Sequence, residues 1–467
     1  MSLDELITPP DAQLASIKAD GSRVRIFPSD VRGRFIRARR VVFGVLMLIY
    51  VLAPVIHLGK HAAVHLDVEH RAFYLLGNSF NAQDLWMLVL FAVSGVFSLL
   101  LITTWRGRVW CGWACPQTVF LEGLYRPIER LIDGPRERRL KAVGAKMTAG
   151  SVARRVAKHA LYLLVSAGLS HVALALFLSR EELWGMMLEG PAAHPTAFTW
   201  SVVVTGLAYF NFAWFREQFC VVLCPYGRLQ SVMHDRDSII IGYDARRGEP
   251  RGPLQKKATD APRGDCVDCK RCVTACPTAI DIRHGLQMEC LACAQCIDAC
   301  DEVMDRIGKP KGLIRYASLA ELDHQPRRVV RPRLVLYGVL TTAATIALVI
   351  GLWGRTPFEA NLLRLPGLPY VLENGQVRNG FEVHLVNKSP STADYEVSVH
   401  APDGAQVELA QNHFQVESMH NQRIPLLVRL DRARFMPGLA VTVEVREVGG
   451  DRQLERSAKM LGPTAAQ

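Results

Sequence analysis

The sequence predicts a multidomain chain in which a polytopic α-helical membrane domain carries a small cysteine-rich α+β domain and a C-terminal all-β domain. Three observations predict it. Five charge-poor runs are long enough to cross a bilayer core, which takes about 20 residues. Two four-cysteine runs of one spacing lie between the fourth and fifth of these. Beyond the fifth, apolar and polar residues alternate with the period of a strand. Bulk composition agrees, since 467 residues suffice for several domains, and 49% hydrophobic with 21% charged residues fits spans joined to polar bodies.

The five runs are roughly Val41–Leu58, Leu85–Thr104, Ala160–Leu178, Phe198–Phe215 and Leu334–Trp353. The first 40 residues are polar and basic, without the apolar core and small-residue cleavage site of a signal peptide. The run from Val41 is therefore expected to act as an uncleaved anchor. Lys and Arg set the orientation of such spans. Segment 1–40 holds Lys18, Arg23, Arg25, Arg32, Arg34, Arg37, Arg39 and Arg40, whereas 59–84 has only Lys60 and Arg71. Segment 105–158 is basic again, with Arg136, Arg138, Arg139, Arg154 and Arg155, and 179–198 has only Arg180. The long segment 216–333 is basic to its end at Arg327, Arg328, Arg331 and Arg333. The alternation puts the N-terminus, 105–158 and 216–333 in the cytoplasm, and the segment from Gly354 outside. These flanks account for the net charge of +11, so the expected partner is the anionic face of a lipid bilayer and not nucleic acid.

All 12 cysteines fall on the cytoplasmic side or at that edge of the membrane. A disulfide framework would place them outside, so these are thiols kept reduced for metal or redox chemistry. Residues 266–277 read CVDCKRCVTACP and residues 290–300 read CLACAQCIDAC, each C-x-x-C-x-x-C-x-x-x-C. That is the two-[4Fe–4S] ferredoxin run of bacterial type, in which the fourth cysteine serves the other cluster. Cys266, Cys269, Cys272 and Cys300 are assigned to one cluster, and Cys290, Cys293, Cys296 and Cys276 to the second. Structural zinc favours two C-x-x-C pairs around a longer loop and fits poorly. Pro277 follows Cys276 as such runs require, but Asp301 follows Cys300, which alters only the local loop.

Two further pairs sit where apolar runs end, in WCGWACPQ (110–117) and FCVVLCPY (219–226). On a helix, positions i and i+4 share a face, so Cys111 with Cys115, and Cys220 with Cys224, are expected to project together. Pro116 and Pro225 then place each pair at a helix end. Brought together, the pairs give four soft thiolates at the membrane edge, suited to Cu(I), zinc or an iron–sulfur centre. Copper, a third cluster and a dithiol all stay open, as does the plain alternative of buried cysteine acting as a small hydrophobe.

The last segment alternates in FEVHLV, YEVSVH and VTVEVREV, with a turn at PDG (402–404), which predicts an antiparallel immunoglobulin-like sandwich. His57, His61 and His65 recur every four residues after the first run, and would share a face if its helix continued. An interfacial helix with incidental histidines is the preferred reading. His413, Met419 and His420 lack a ligand spacing. No G-x-G-x-x-G follows a strand and no G-x-x-x-x-G-K occurs, so electrons must come from a separate donor, such as a reduced ferredoxin, a flavoprotein or a quinol.

Together these features resemble one family. ECLACAQCIDACDEVMDRIGKPKGLIRY (289–316), the paired C-x-x-x-C-P motifs and RNGFEVHLVNKS (378–389) are similar to the CcoG family, also called RdxA or FixG. The resemblance covers nearly the whole chain. It implies a bacterial inner-membrane protein that reduces Cu(II) to Cu(I) for assembly of the cbb(3)-type cytochrome c oxidase, a cupric reductase. It also implies oxidase subunits or copper-handling assembly factors as partners, copper as substrate, and Cys111, Cys115, Cys220 and Cys224 as the copper-handling thiols. Phe381 stands where the family often has tyrosine.

The expected layout is a cytoplasmic segment 1–40, a membrane domain 41–225 with four spans, a cytoplasmic two-cluster domain 226–333, a fifth span 334–353 and a periplasmic sandwich 354–467. Two other functions compete with the reductase. One is a quinol-linked electron-transfer subunit, which predicts quinone dependence and no copper at the C-x-x-x-C-P thiols. The other is a non-catalytic assembly scaffold, which predicts that cluster ligands can be changed without loss of oxidase.

Overall fold

A computed structural model describes residues 26–463, except 59–60, 69–70, 82–83, 144, 254–262, 390 and 451. Of the charges used to set orientation, Lys18, Arg23, Arg25 and Lys60 lie outside the described residues. The described residues form two compact units, 26–54 with 90–346, and 55–89 with 347–463.

Four helices are long and apolar enough to cross a membrane: Leu85–Arg106, Ala149–Leu178, Pro195–Phe215 and Pro332–Trp353. They match four of the five expected runs. Ala149–Leu178 starts well before Ala160, because Thr148 and Ser151 form a reciprocal capping box. Phe91, Leu164 and Ile350 on three of these helices stay exposed, as lipid-facing side chains do.

The expected first span differs. The helix Arg34–Leu52 carries Arg34, Arg37, Arg39 and Arg40 in its first two turns and stops before Pro54. Val41–Leu52 gives an apolar rise of only about 18 Å against a core of about 30 Å. This helix is tied inward at its start. The buried Asp298 carboxylate accepts from Phe35 N at 3.3 Å and Ile36 N at 2.8 Å, filling the role of an absent N-cap. Arg39 is 1% exposed and its Nε donates to Gly112 O at 2.9 Å.

The cysteine-rich body of the first unit pairs strand Ile240–Tyr243 antiparallel with Ile314–Ala317 and packs helices Arg271–Ala275 and Gln295–Arg306 beside them. Its core joins Ile241, Ile282, Ile297, Met304 and Leu313 to six cysteines, the buried Cys272, Cys290 and Cys300 and the partly covered Cys266, Cys276 and Cys296. This is the α+β arrangement the four-cysteine runs predict.

In the second unit the histidine run is not helical. Residues 57–80 form short strands, His57–Leu58 pairing with His61–Ala62, and Val64–Asp67, Ala72–Leu75 and Asn78–Phe80 forming a three-stranded sheet. The three imidazoles therefore do not share a helical face. His61 stacks on Tyr74 at 3.7 Å, and His65 lies against the same ring at 5.8 Å.

Residues 358–459 form two antiparallel sheets. One orders Gln406–Leu409, Asn421–Asp431, Gln376–Asn387 and Phe358–Arg364, with Val371–Glu373 also on Gln376–Asn387. The other orders His413–Val416, Ala393–His400, Ala440–Glu447 and Gln453–Lys459. Alternate residues of FEVHLV and VTVEVREV, including Phe381, Val383, Leu385, Val443 and Val445, fill the core between them. Phe381 is wholly buried, with the Arg364 guanidinium over its ring at 5.1 Å, so packing and a cation–π contact occupy the place where a hydroxyl would need a partner. His413 and His420 are exposed. A buried ion-pair group sits at the foot of the unit: Lys388 Nζ lies 2.9 Å from Asp84 and 2.8 Å from Glu359, and Arg355 lies 3.1 Å from Asp84.

Candidate redox site

The two ferredoxin-type loops fold alike because their sequences place the same strain at the same positions. Asp268 and Lys270 flank Cys269 with φ of 49° and 55°, and Ala292 and Ala294 flank Cys293 with φ of 51° and 61°. Left-handed backbone costs a non-glycine residue roughly 1–2 kcal/mol, so each loop stores strain on both sides of its middle cysteine. The reversal turns three thiols inward. Sulfur then meets backbone N–H groups: Ala292 N–H reaches Cys290 and Gln295 N–H reaches Cys293.

The structure gathers the eight thiols into two groups. Cys266, Cys269, Cys272 and Cys300 line one cavity, and Cys276, Cys290, Cys293 and Cys296 line another, with Cys272 at the boundary. Among the described residues no three His, Cys, Asp or Glu side chains converge on one metal ion. Zinc wants four ligands about 2.0–2.3 Å from one centre. Four thiols lining a shared cavity, three from one C-x-x-C-x-x-C loop and the fourth from the other run, suit a multi-iron group instead. Burial pushes the Cys272, Cys290 and Cys300 thiols up to about 12 and Cys293 to about 11. Arg283, held by Asp281 and Asp268, brings a positive charge to Cys272.

Asp301 has a clear role where proline was expected. Cys300 and Asp301 lie within the helix Gln295–Arg306, which a proline would interrupt, and Asp301 Oδ1 accepts from Gly312 N at 3.0 Å. Cys276 has left its helix with φ −69° and ψ 126°, and Pro277 follows freely.

The C-x-x-x-C-P pairs depart from the expected geometry. Cys111 is in the helix Val109–Trp113, but Cys115 is extended and precedes a new helix that Pro116 opens. Cys220 is in the π-helical turn Phe219–Leu223, and Cys224 is extended before the helix Pro225–Met233. The proline starts the next helix as well as ending the last, since its missing N–H is no loss at a first position. The members of a pair thus do not share one helix face. The two pairs nevertheless converge, with every thiol close enough to bear electrostatically on the other three. Burial pushes Cys111 and Cys220 up to about 12.

Backbone contact joins this thiol site to the second cavity. A Cβ on Gly112 would lie 2.5 Å from Leu291 O and 3.0 Å from Ala292 C, so only glycine lets the 111–115 loop rest on the 290–293 loop. Arg108 donates to both Met288 O and Gly227 O, spanning the approach to Cys290 and the turn after Cys224. Trp113 Nε1 lies 3.2 Å from Tyr316 OH, which donates to Ala292 O at 2.6 Å. Arg126 donates to Pro277 O at 3.1 Å and pairs with Glu122 at 2.5 Å.

Sequence reasoning named the 12 thiols and missed this frame. Arg108, Gly112, Arg126 and Asp298 act across more than 100 positions or within a motif whose other residues drew attention, and no local spacing marks them. His57, His61, His65, His413, Met419 and His420 are not gathered into a metal group.

Comparison with known proteins follows the same division of the chain. Residues 85–135 match a 4Fe-4S binding domain, residues 215–319 a 4Fe-4S dicluster domain, and residues 348–463 the IG-like fold at the C-terminal of FixG. The chain is 36% identical to Protein RdxB of Cereibacter sphaeroides, covering 84% of this chain and 85% of that one. It is 34% identical to Nitrogen fixation protein FixG of Rhizobium meliloti, covering 83% and 81%. Protein RdxA of C. sphaeroides is 33% identical, covering 82% and 83%. From the two four-thiol cavities, the four apolar helices, the two-sheet C-terminal unit and these relatives together, the chain belongs to the FixG/RdxA family of iron–sulfur oxidoreductases.

Proposed function

We propose that the chain takes single electrons from a cytoplasmic donor and delivers them to the Cys111, Cys115, Cys220 and Cys224 site, where Cu(II) is reduced to Cu(I) for assembly of a cbb(3)-type cytochrome c oxidase. The observation that carries this reading is the seating of Gly112 on the Leu291–Ala292 backbone, which puts the thiol site against the second cluster loop. Two [4Fe–4S] groups, ligated by Cys266, Cys269, Cys272 and Cys300 and by Cys276, Cys290, Cys293 and Cys296, supply one-electron carriage when bound. Each turnover consumes one electron from the donor and one Cu(II), and yields one Cu(I). The donor is a reduced ferredoxin, flavoprotein or quinol. Arg108 and Arg283 place positive charge beside thiols that become anionic on ligation, and apolar side chains such as Ile241, Ile282 and Leu313 share one core with Cys272 and Cys290. The Lys/Arg alternation supports a bacterial inner-membrane protein with the cysteine-rich body in the cytoplasm and the sandwich in the periplasm, docking oxidase subunits or copper-handling factors.

The test is anaerobic. Protein is reduced, Cu(II) is added, and Cu(I) is followed with a chelator. Cys266→Ala and Cys111→Ala/Cys115→Ala are expected to lose at least 90% of the rate. Parental rates in both would end the reading.

A quinol-linked carrier is the second reading, and one observation favours it. A cleft is lined by Glu129, Lys158, His159, Tyr162, Trp214 and Arg216, the last close in sequence to Cys220. His159 Nδ1 lies 2.8 Å from Tyr209 OH, and Arg216 bonds Glu129 at 2.5 Å. Quinol oxidation by the membrane protein without copper would favour this reading over the first.

A further inference from the structure

We infer that Cys111, Cys115, Cys220 and Cys224 are the four ligands of a third [4Fe–4S] cluster. The inference rests on the reading of the chain as an iron–sulfur electron carrier and changes what these thiols hold, iron and sulfide in place of copper.

Three observations converge. The 4Fe-4S binding domain matched at 85–135 contains only two cysteines, Cys111 and Cys115, so a four-thiolate cluster there needs two more from elsewhere. The fold supplies them: Arg108 donates to Gly227 O and the Cys111 thiol to Gln230 Oε1 at 3.5 Å, which holds the segment bearing Cys111 and Cys115 against the one bearing Cys220 and Cys224, each thiol near enough to bear on the other three. Finally, Cys115 repeats their sulfur environment. Its sulfur meets the N–H groups of Gln117 and Thr118, as Cys290 meets that of Ala292 two residues on and Cys293 that of Gln295.

The surroundings fit an anionic cluster. Gln230 is fully buried; its Oε1 accepts from the Cys111 thiol at 3.5 Å, and its Nε2 is without a partner. Once Cys111 is a thiolate it can only accept, and turning the amide would offer it that Nε2–H. Arg108 adds positive charge beside Cys111 and Cys290 alike. Copper is then substrate at the edge of this site and is not ligated by its four thiolates.

The experiment counts iron and acid-labile sulfide in protein purified and reconstituted without oxygen, with Mössbauer and EPR spectra of oxidised and reduced samples. The unmodified chain is expected to hold about 12 irons and about 12 sulfides, and Cys111→Ala/Cys115→Ala and Cys220→Ala/Cys224→Ala about eight of each, with the two remaining signals intact. About eight irons in the unmodified chain, unchanged in both variants, overturns the third cluster and leaves the carrier reading standing. No cluster signal at all in the unmodified chain removes both. Should the double variants not accumulate in the membrane, the count on the unmodified chain decides: about 12 supports the inference and about eight overturns it.

Discussion

Replacing Gly112 by alanine tests whether the loop-on-loop contact carries electrons. The added Cβ would meet Leu291 O at 2.5 Å and both Ala292 C and O at 3.0 Å. All three are backbone atoms of the loop between Cys290 and Cys293, so no side chain can swing aside. The two loops must part by roughly 0.5 Å or more, at an overpacking cost of about 1–3 kcal/mol. Alanine recovers up to about 1 kcal/mol by favouring the helix Val109–Trp113, so the net loss in Gly112→Ala is about 0–2 kcal/mol. Gly112→Val adds bulk without that gain and should lose more. Electron transfer between fixed centres falls steeply with the gap, so Cu(II) reduction should slow in Ala and slow further in Val, while iron content stays at the parental value. The assay pairs stopped-flow Cu(I) detection with iron analysis and a thermal melt in detergent. Parental rates and melting points in both variants would refute the contact as a route.

Two further outcomes are expected. Lys388→Met removes the cation shared by Asp84 and Glu359, leaving the 1%-exposed Asp84 to Arg355 alone, and should destabilise the second unit by about 3–5 kcal/mol in chemical denaturation of the full chain; a loss below about 1 kcal/mol would contradict it. His234 is held neutral by burial and by the nearby Arg108 charge, which lower it to about 4. Its folded value lies below its unfolded one, so its contribution is complete above about pH 6.5 and is lost as pH falls toward 4, by up to about 3 kcal/mol. Comparing pH–stability curves of the parent and His234→Gln isolates this, and identical slopes between pH 4 and 6.5 would show that the imidazole does not titrate there.

The sequence alone determined what depends on neighbours along the chain. The two four-cysteine runs fixed the thiol count and the exchange of fourth cysteines, because C-x-x-C loops are short and their spacing sets their reach. Four long apolar helices were legible because a bilayer demands one unbroken apolar length, and the sandwich strands because burial on one face enforces alternation. For the first run, apolar content could not show that Arg39 is buried against Gly112 or that the chain turns into strands at His57. The i, i+4 reading of Cys111 and Cys115 also failed, because Pro116 opens a new helix and leaves Cys115 extended. Only the tertiary structure decided that Cys111 and Cys115 meet Cys220 and Cys224, that Gly112 rests on the second cluster loop, and that Arg108 links the two sites. Such contacts join residues 100 or more positions apart, and a local pattern holds no information about which distant backbone will come to lie against it.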